Sequence, residues 1–467
     1  MSLPSPTRSF RHHVGETLRQ AWPVLVSSWA GMAFGVMDTA MAGHASAADL
    51  QAMSLAVSIY ITIFVGLMGV IHALIPIIGQ HYGAKRLLEV GRAWGQGVWL
   101  ALGLSAIGAV AMLFPDAWLS LSGDVDPVVR NGVAWYLRAL ILALPAALVF
   151  RSIYALGTAV SRPKVVMTIN LASIGIKALF NWVFIFGKLG VPAMGAAGAG
   201  LSTALTSWCS LAAGLWIIHH DEFFRQFRPR LDRPRWADLK ELLRLGLPMG
   251  GSYLVEVCAF SFMALLIARE GMYVTGGHQI TANLVALCYM LPMSVGIASA
   301  SLTAQAIGAR DMVRARQTGR AGLTITLVGA IGAIALVMGA RQPILAAYTD
   351  DLKVAAMAAA LLQIVPYFHL CDAMQCINSY LLRAYKVAVV PLLMQIIALT
   401  GIGLIGGWWL GFGPLAGSLK PVLDVVMPHA PVGASSMWLM AAVGLGLSAA
   451  LQHLWYWHVV RRHAHGQ

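Results

Sequence analysis

Charge is what this chain has least of. Only 11% of its 467 residues are Asp, Glu, Lys or Arg, against about 25% in an ordinary soluble domain, and mean hydropathy is +0.73. Acids are the scarcer sign: there are nineteen, and only Asp38, Glu256 and Asp372 lie inside long apolar runs. A carboxylate in hydrocarbon costs roughly 2.5–3.5 kcal/mol on insertion scales, so it is rarely left there without a use. Catalytic signatures are also missing. No Walker A sequence, metal-binding helix pair or nucleophile motif occurs, so ATP hydrolysis and enzymatic catalysis are not expected, and no cofactor is implied. The five cysteines (Cys209, Cys258, Cys288, Cys371 and Cys376) all fall in apolar runs, in a spacing that suggests neither a disulfide framework nor a zinc site.

What the chain does have is apolar segments long enough to span a bilayer, about 20 residues each. They fall at 20–42, 51–80, 94–114, 133–158, 163–187, 194–218, 243–268, 279–307, 318–340, 354–380, 388–411 and 434–459. The connections are mostly too short for a separate soluble domain. The expected fold is all-α: a polytopic membrane protein with twelve transmembrane helices in two pseudo-symmetric six-helix bundles. No cleavable signal peptide is expected, because the first run follows a mostly polar stretch with Arg8, Arg11 and Arg19 and outlasts a signal's apolar core.

The net charge of +13 sits where a membrane protein needs it rather than where nucleic acid would. Of the 32 Lys and Arg residues, 23 lie at the N-terminus, in the loops that follow even-numbered runs, at the C-terminus or on adjoining helix ends. The opposite loops hold Arg130, Lys188, Arg269, Arg341, Lys353 and Lys420. The positive-inside rule then puts both termini in the cytoplasm, with the basic FFRQFRPRLDRPR segment (223–235) near anionic head groups. No nucleic-acid partner is expected; the bilayer is the partner.

The longest hydrophilic connection splits the chain into an N-terminal bundle (1–218), a basic cytoplasmic linker (219–241) and a C-terminal bundle (242–467). An offset of 225 residues pairs Pro23 with Pro248, Gln80 with Gln305, Gly83 with Gly308, Ala84 with Ala309, Gly97 with Gly322, and Lys85 with the similarly charged Arg310. Each half has an even number of spans, so the halves are expected as parallel repeats with the substrate between them. The acids break the repeat, since Asp38 aligns with Met263 and Glu256 with Gly31. Different duties follow for the two halves.

Several segments resemble one known family. AWPVLVSSWAGMAFGVMDTAMAGH is similar to the first helix of the multidrug and toxic compound extrusion (MATE) transporters, and GLPMGGSYLVEVCAFSFMALLIAREG to their seventh with its embedded acid. HQITANLVALCYMLPMSVGIASASLTAQAIGA resembles the eighth and VPYFHLCDAMQCINSYLLRAYK the tenth. ALFNWVFIFGKLGVPAMGAAGAG (178–200) extends the likeness through nearly the whole chain. Acids in both the seventh and tenth helices bring it nearest the NorM-type bacterial branch. The resemblance implies a secondary antiporter that expels amphipathic or cationic compounds in exchange for Na⁺ or H⁺ and acts as a monomer. It implies proton coupling at Asp38, cation binding at Glu256 and Asp372 with Tyr367 nearby, and an N-terminal cavity lined by Asn181. A lipid-linked saccharide flippase shares the broader architecture, and a membrane enzyme of lipid or cell-wall synthesis is a third reading.

The residues leave some choices open. Glu256 and Asp372 either form an oxygen-lined site for a small hard cation such as Na⁺, share one proton, or are neutral and hydrogen-bonded structurally. Asp38 either exchanges a proton or caps its helix. Lys177 departs from relatives, which often carry a neutral polar residue four positions before Asn181. It either pairs with Asp38 or snorkels to an interface. Within the spans, only Arg138 and Arg151 accompany it as cations, and both are expected near interfaces. His72, His278 and His369 read as core histidines, and the Met and aromatic residues as packing that also suits a cavity for flat organic cations.

Overall fold

The computed structural model describes residues 9–120 and 126–465, so Arg8 lies outside the described residues. Among them, twelve helices are long and apolar enough to cross a membrane. They are α1 (Phe10–His44), α2 (Ala48–Gly83), α3 (Leu87–Met112), α4 (Pro127–Ala159), α5 (Pro163–Phe186) and α6 (Gly195–His220). The second six are α7 (Trp236–Glu270), α8 (Met272–Gly308), α9 (Met312–Gly339), α10 (Leu352–Ala384), α11 (Val389–Gly411) and α12 (Val432–His463). No strand occurs among the described residues. Each expected run falls on one helix, and most helices extend past their run because polar caps start them. Ser46, Asp126, Asp311 and Asp351 each accept a hydrogen bond from a backbone N–H of the first turn they precede. Pro127 and Pro163 open α4 and α5, where a missing N–H costs nothing.

Large apolar side chains are left exposed along these helices, among them Ile107, Leu142, Val328 and Leu336. In water such a surface would aggregate; in hydrocarbon it is the ordinary outer face of a helical membrane protein.

The internal repeat extends to backbone conformation. Lys85 and Arg310, paired by the 225-residue offset, both adopt a left-handed φ of 59°. Ser161 and Lys386 stand at the same offset with φ of 63° and 59°. In all four turns the following N–H closes back on the helix just ended: Arg86 on the His81 carbonyl, Asp311 on Ala306, Arg162 on Gly157 and Val387 on Leu382, at 2.7–3.0 Å. The same chain-reversing cap thus ends α2, α4, α8 and α10.

Contacts divide the chain into two compact units. The first is Pro23–Gly250 with Gly308–Arg310; the second is the chain up to Trp22, Gly251–Ile307 and the chain from Asp311 onward. The divisions at Pro23 and Gly250 differ from the sequence boundaries at 218 and 242 for identifiable reasons. Gly91 and Gly95 on α3 offer no Cβ, and the backbone carbonyls of Phe227 and Arg230 lie in the space. Gln96 donates to the Arg233 carbonyl and accepts from the Arg235 N–H, while Trp99 donates to the Asp232 carbonyl. The basic linker is therefore docked on α3, with Phe224 and Phe227 buried and its arginines exposed. The start of α7 stays with the same unit, Gly246 and Gly250 lying against α2 at Val70 and Gly66. The start of α1 goes to the second unit, where Glu16 pairs with Arg314 at 3.0 Å.

Within the first unit, α4 is the central helix, packed against α2, α3 and α6, and α5 packs on α6. Within the second, α12 packs against α10 and α11 around buried Trp438, Phe368 and Met437, and α9 against α10. Residues 396–406 of α11 are wound as a π-helix, a widening that recurs at functional positions.

Candidate functional site

Each unit holds a buried polar cluster built on the acids that lie within its apolar runs. In the first, α5 carries Asn170, Ser173, Lys177 and Asn181 at spacings of three or four, which puts them on one face. Asn170 donates to the Ser27 hydroxyl on α1, and the Ser173 and Ser210 hydroxyls join α5 to α6. Deeper along that face, Lys177 is 1% exposed and Asn181 fully buried. The Lys177 ammonium lies 2.9 Å from Asp38 Oδ1. It donates to Thr203 Oγ1 at 2.6 Å and to the Ala199 carbonyl at 3.3 Å. Asn181 donates its amide to the same Asp38 oxygen at 2.7 Å. Lys177 therefore reaches Asp38 instead of snorkelling to an interface. Tyr136 stands within electrostatic reach of Asp38. An ammonium has three N–H groups, and here all three have acceptors.

The second cluster joins α7, α8 and α10. Glu256 on α7 receives a hydrogen bond from the Tyr289 hydroxyl on α8, and its charge interacts with Asp372 and Arg383 on α10. Asp372 is buried, at 5% exposure. Tyr289 also hydrogen-bonds with Cys376. Below the acids, Arg383 donates to Tyr253 Oη at 3.0 Å, and the Tyr253 and Tyr380 hydroxyls are 2.6 Å apart. Its guanidinium carbon also lies 5.0 Å and 4.7 Å from the centres of those two rings, close enough for cation–π attraction.

Tyr367 is not part of this cluster. It is 65% exposed, and five residues before Asp372 set it about 140° away around the helix. Arg383 is the functional candidate that sequence reasoning missed. In sequence it stands among the basic helix ends beside a cytoplasmic loop, whereas it is 5% exposed and interacts with Glu256. A signal existed: Asp372, Cys376, Tyr380 and Arg383 follow one face of α10, and Tyr253 and Glu256 one face of α7.

The donor set around Glu256 and Asp372 consists of carboxylate and hydroxyl oxygens, which suit a hard cation such as Na⁺. With both acids ionised and Arg383 charged, the cluster carries one net negative charge, the complement of one monovalent ion or one proton. One turn along α7 from Glu256, Ala259, Phe260 and Met263 line an apolar pocket with Leu399, Gly403 and Met437.

Arg138 is exposed and covers the Trp135 ring, and Arg151 lies over Phe64 and Tyr154. His278 accepts the indole N–H of Trp438 at 3.2 Å.

Comparison with known proteins gives a consistent set of matches. The family model MatE matches residues 23–183 and 248–409, two stretches whose starts lie at the repeat offset. A probable multidrug resistance protein NorM of Aromatoleum aromaticum is 38% identical over 414 residues, covering 88% of this chain and 89% of that protein. The multidrug resistance protein NorM of Vibrio cholerae is 30% identical over 456 residues, covering 96% of each. Among solved structures, the eukaryotic MATE transporter AtDTX14 superposes with a TM-score of 0.86 at 20% identity, over 97% of this chain and 98% of that one. The Vibrio cholerae MATE transporter VcmN in its bent form gives 0.82 at 16% identity, over 97% and 98%. At those identities the two structures speak for the fold.

Proposed function

Because the chain belongs to the MatE family of multidrug and toxic compound extrusion transporters, we propose that it exports amphipathic, cationic organic compounds in exchange for Na⁺ or H⁺. The observation that carries this reading is the cluster of Glu256, Asp372, Tyr289 and Arg383. Two acids from different helices interact within an oxygen-rich cluster that has one more acid than it has cations. Such a site binds a proton or one small cation and releases it when its surroundings change. The apolar pocket one turn away supports an organic substrate, since Phe260, Met263 and Met437 are adaptable surfaces for a flat ring. The multidrug resistance names of the relatives support the same substrate class.

The coupling acids are Glu256 and Asp372, with Asp38, Lys177 and Asn181 forming a second, charge-balanced polar site in the N-terminal half. Tyr367 keeps a supporting role only at the surface. The protein resides in a bacterial inner membrane with both termini cytoplasmic, a reading supported by the Lys and Arg asymmetry. It works as a monomer.

The test is efflux of a fluorescent cationic dye from inside-out-calibrated vesicles under an imposed Na⁺ gradient and, separately, a pH gradient. Wild-type protein is expected to respond to one or both. Glu256→Gln and Asp372→Asn, which remove exchangeable charge at nearly constant volume, are expected to insert and fold but not to respond. Wild-type efflux in both variants would make the pair structural.

A further inference from the structure

The surroundings of Lys177 form a cage of oxygens. Its ammonium is held by a carboxylate oxygen of Asp38, the hydroxyl of Thr203 and the backbone carbonyl of Ala199, at 2.9, 2.6 and 3.3 Å. The Thr203 hydroxyl spends its own proton on the Ala199 carbonyl at 3.0 Å, which leaves its lone pairs facing the ammonium. A carboxylate, a hydroxyl and a carbonyl converging on one point are the ligands that hard monovalent cations take. A fourth oxygen is within the cluster: Asn181 Oδ1 is buried and has no hydrogen-bond partner among the described residues. Rotation of that amide would exchange its N–H₂ for this oxygen on the Asp38 side. Buried amide oxygens without partners are uncommon enough to need a reason.

We propose that Lys177 is a tethered cation: its ammonium permanently fills a monovalent-cation site built from Asp38, Thr203, Ala199 and Asn181. A free ion therefore cannot bind in the N-terminal half while Lys177 is in place. The charges agree with this. One carboxylate against one ammonium leaves the cluster neutral, so a second buried cation would be uncompensated, which a low-dielectric site penalises heavily. The halves then differ in kind. The cluster at Glu256 and Asp372 has two acids to one cation and so has one acid free for an exchangeable ion or proton, whereas the single acid of the Asp38 cluster is already matched by a tethered cation. The last consequence rests on the exchange function proposed above, but the occupied site itself does not. The test therefore measures binding and not transport.

Purified protein carrying Glu256→Gln and Asp372→Asn, with the C-terminal cluster silenced, is melted in Na⁺ or in N-methylglucamine at equal ionic strength. With Lys177 intact, Na⁺ is expected to give no specific shift. Adding Lys177→Ala is expected to open the cage, so that Na⁺, and methylammonium as a mimic of the lost head group, raise the melting midpoint saturably by about 2–4 °C. Asp38→Asn added to that variant is expected to abolish the shift. The proposal is overturned by a Lys177→Ala protein indifferent to both ions, by a shift that survives Asp38→Asn, or by a specific Na⁺ shift while Lys177 is present. The last arm needs no change at Lys177, so it remains decisive even where Lys177→Ala is not recovered.

Discussion

The pairing of Asp38 with Lys177 makes a prediction whose size follows from the geometry. Both side chains are buried, with 9% and 1% of their side-chain surface exposed, and the ion pair is 2.9 Å long. Removing one partner of a buried pair leaves an uncompensated charge and costs about 3–5 kcal/mol. Asp38→Asn should fall near the lower end, because the ammonium keeps Thr203 and the Ala199 carbonyl as acceptors. Lys177→Met should also fall there, because the carboxylate keeps the Asn181 amide donor. Changing both removes the two charges together, leaves an amide facing an amide and a methionine of similar volume, and should cost about 1 kcal/mol. The double variant is therefore expected to be more stable than either single one, with a coupling energy of about 3 kcal/mol or more. Thermal and denaturant unfolding of the four proteins in detergent measures this. Strictly additive losses would refute the pairing. A second readout addresses mechanism: Lys177→Met removes the counter-charge 2.9 Å from Asp38 and should change the pH profile of efflux. An unmoved profile would remove Asp38 from the transport cycle.

Arg383→Gln should weaken efflux more than it weakens folding. It leaves Glu256 and Asp372 without their counter-charge, raising the apparent affinity for a coupling cation or moving the pH optimum upward, and an unchanged ion dependence would contradict that role. Tyr253→Phe removes the hydroxyl that accepts from Arg383 and contacts Tyr380 and should cost about 1–2 kcal/mol in stability; a change within ±0.5 kcal/mol would mean the network is slack. For topology, a membrane-impermeant thiol reagent added outside should label a cysteine placed at Asp424 but not at Arg230 or Arg316, and the inverse pattern would overturn the orientation.

The helices were legible because a span is a long, monotonous signal: twenty apolar residues are needed, and caps such as Asp126–Pro127 and Asp311 mark where each begins. The repeat was legible only where residue types survived. Lys85 and Arg310 are visibly alike, whereas Ser161 and Lys386 share a backbone conformation with no likeness of side chain. Asp38 is the only acid within an apolar run of the first half and so the one intramembrane partner open to Lys177, but a long flexible side chain can equally snorkel, and only the packing of α1 on α5 decides between the two. The environment of Glu256 could not be read, because convergence of α7, α8 and α10 depends on packing, and neither Tyr289 nor Cys376 is unusual in an apolar helix. Arg383 was hidden by its position three residues past the apolar run, where an arginine ordinarily meets water. The unit boundaries were hidden too: Gly91 and Gly95 let a strongly basic linker lie on a helix, and composition alone reads that linker as free.

The central claim is that export of an organic cation and inward movement of a coupling ion are one process through Glu256 and Asp372. Purified protein in liposomes loaded with substrate, with no ion gradient imposed, tests it most directly. The outward substrate gradient should drive Na⁺ or H⁺ inward against its own equilibrium, followed by radioactive sodium and by an internal pH dye, and Glu256→Gln with Asp372→Asn should abolish that movement. Substrate leaving at the wild-type rate with neither ion entering would contradict the account.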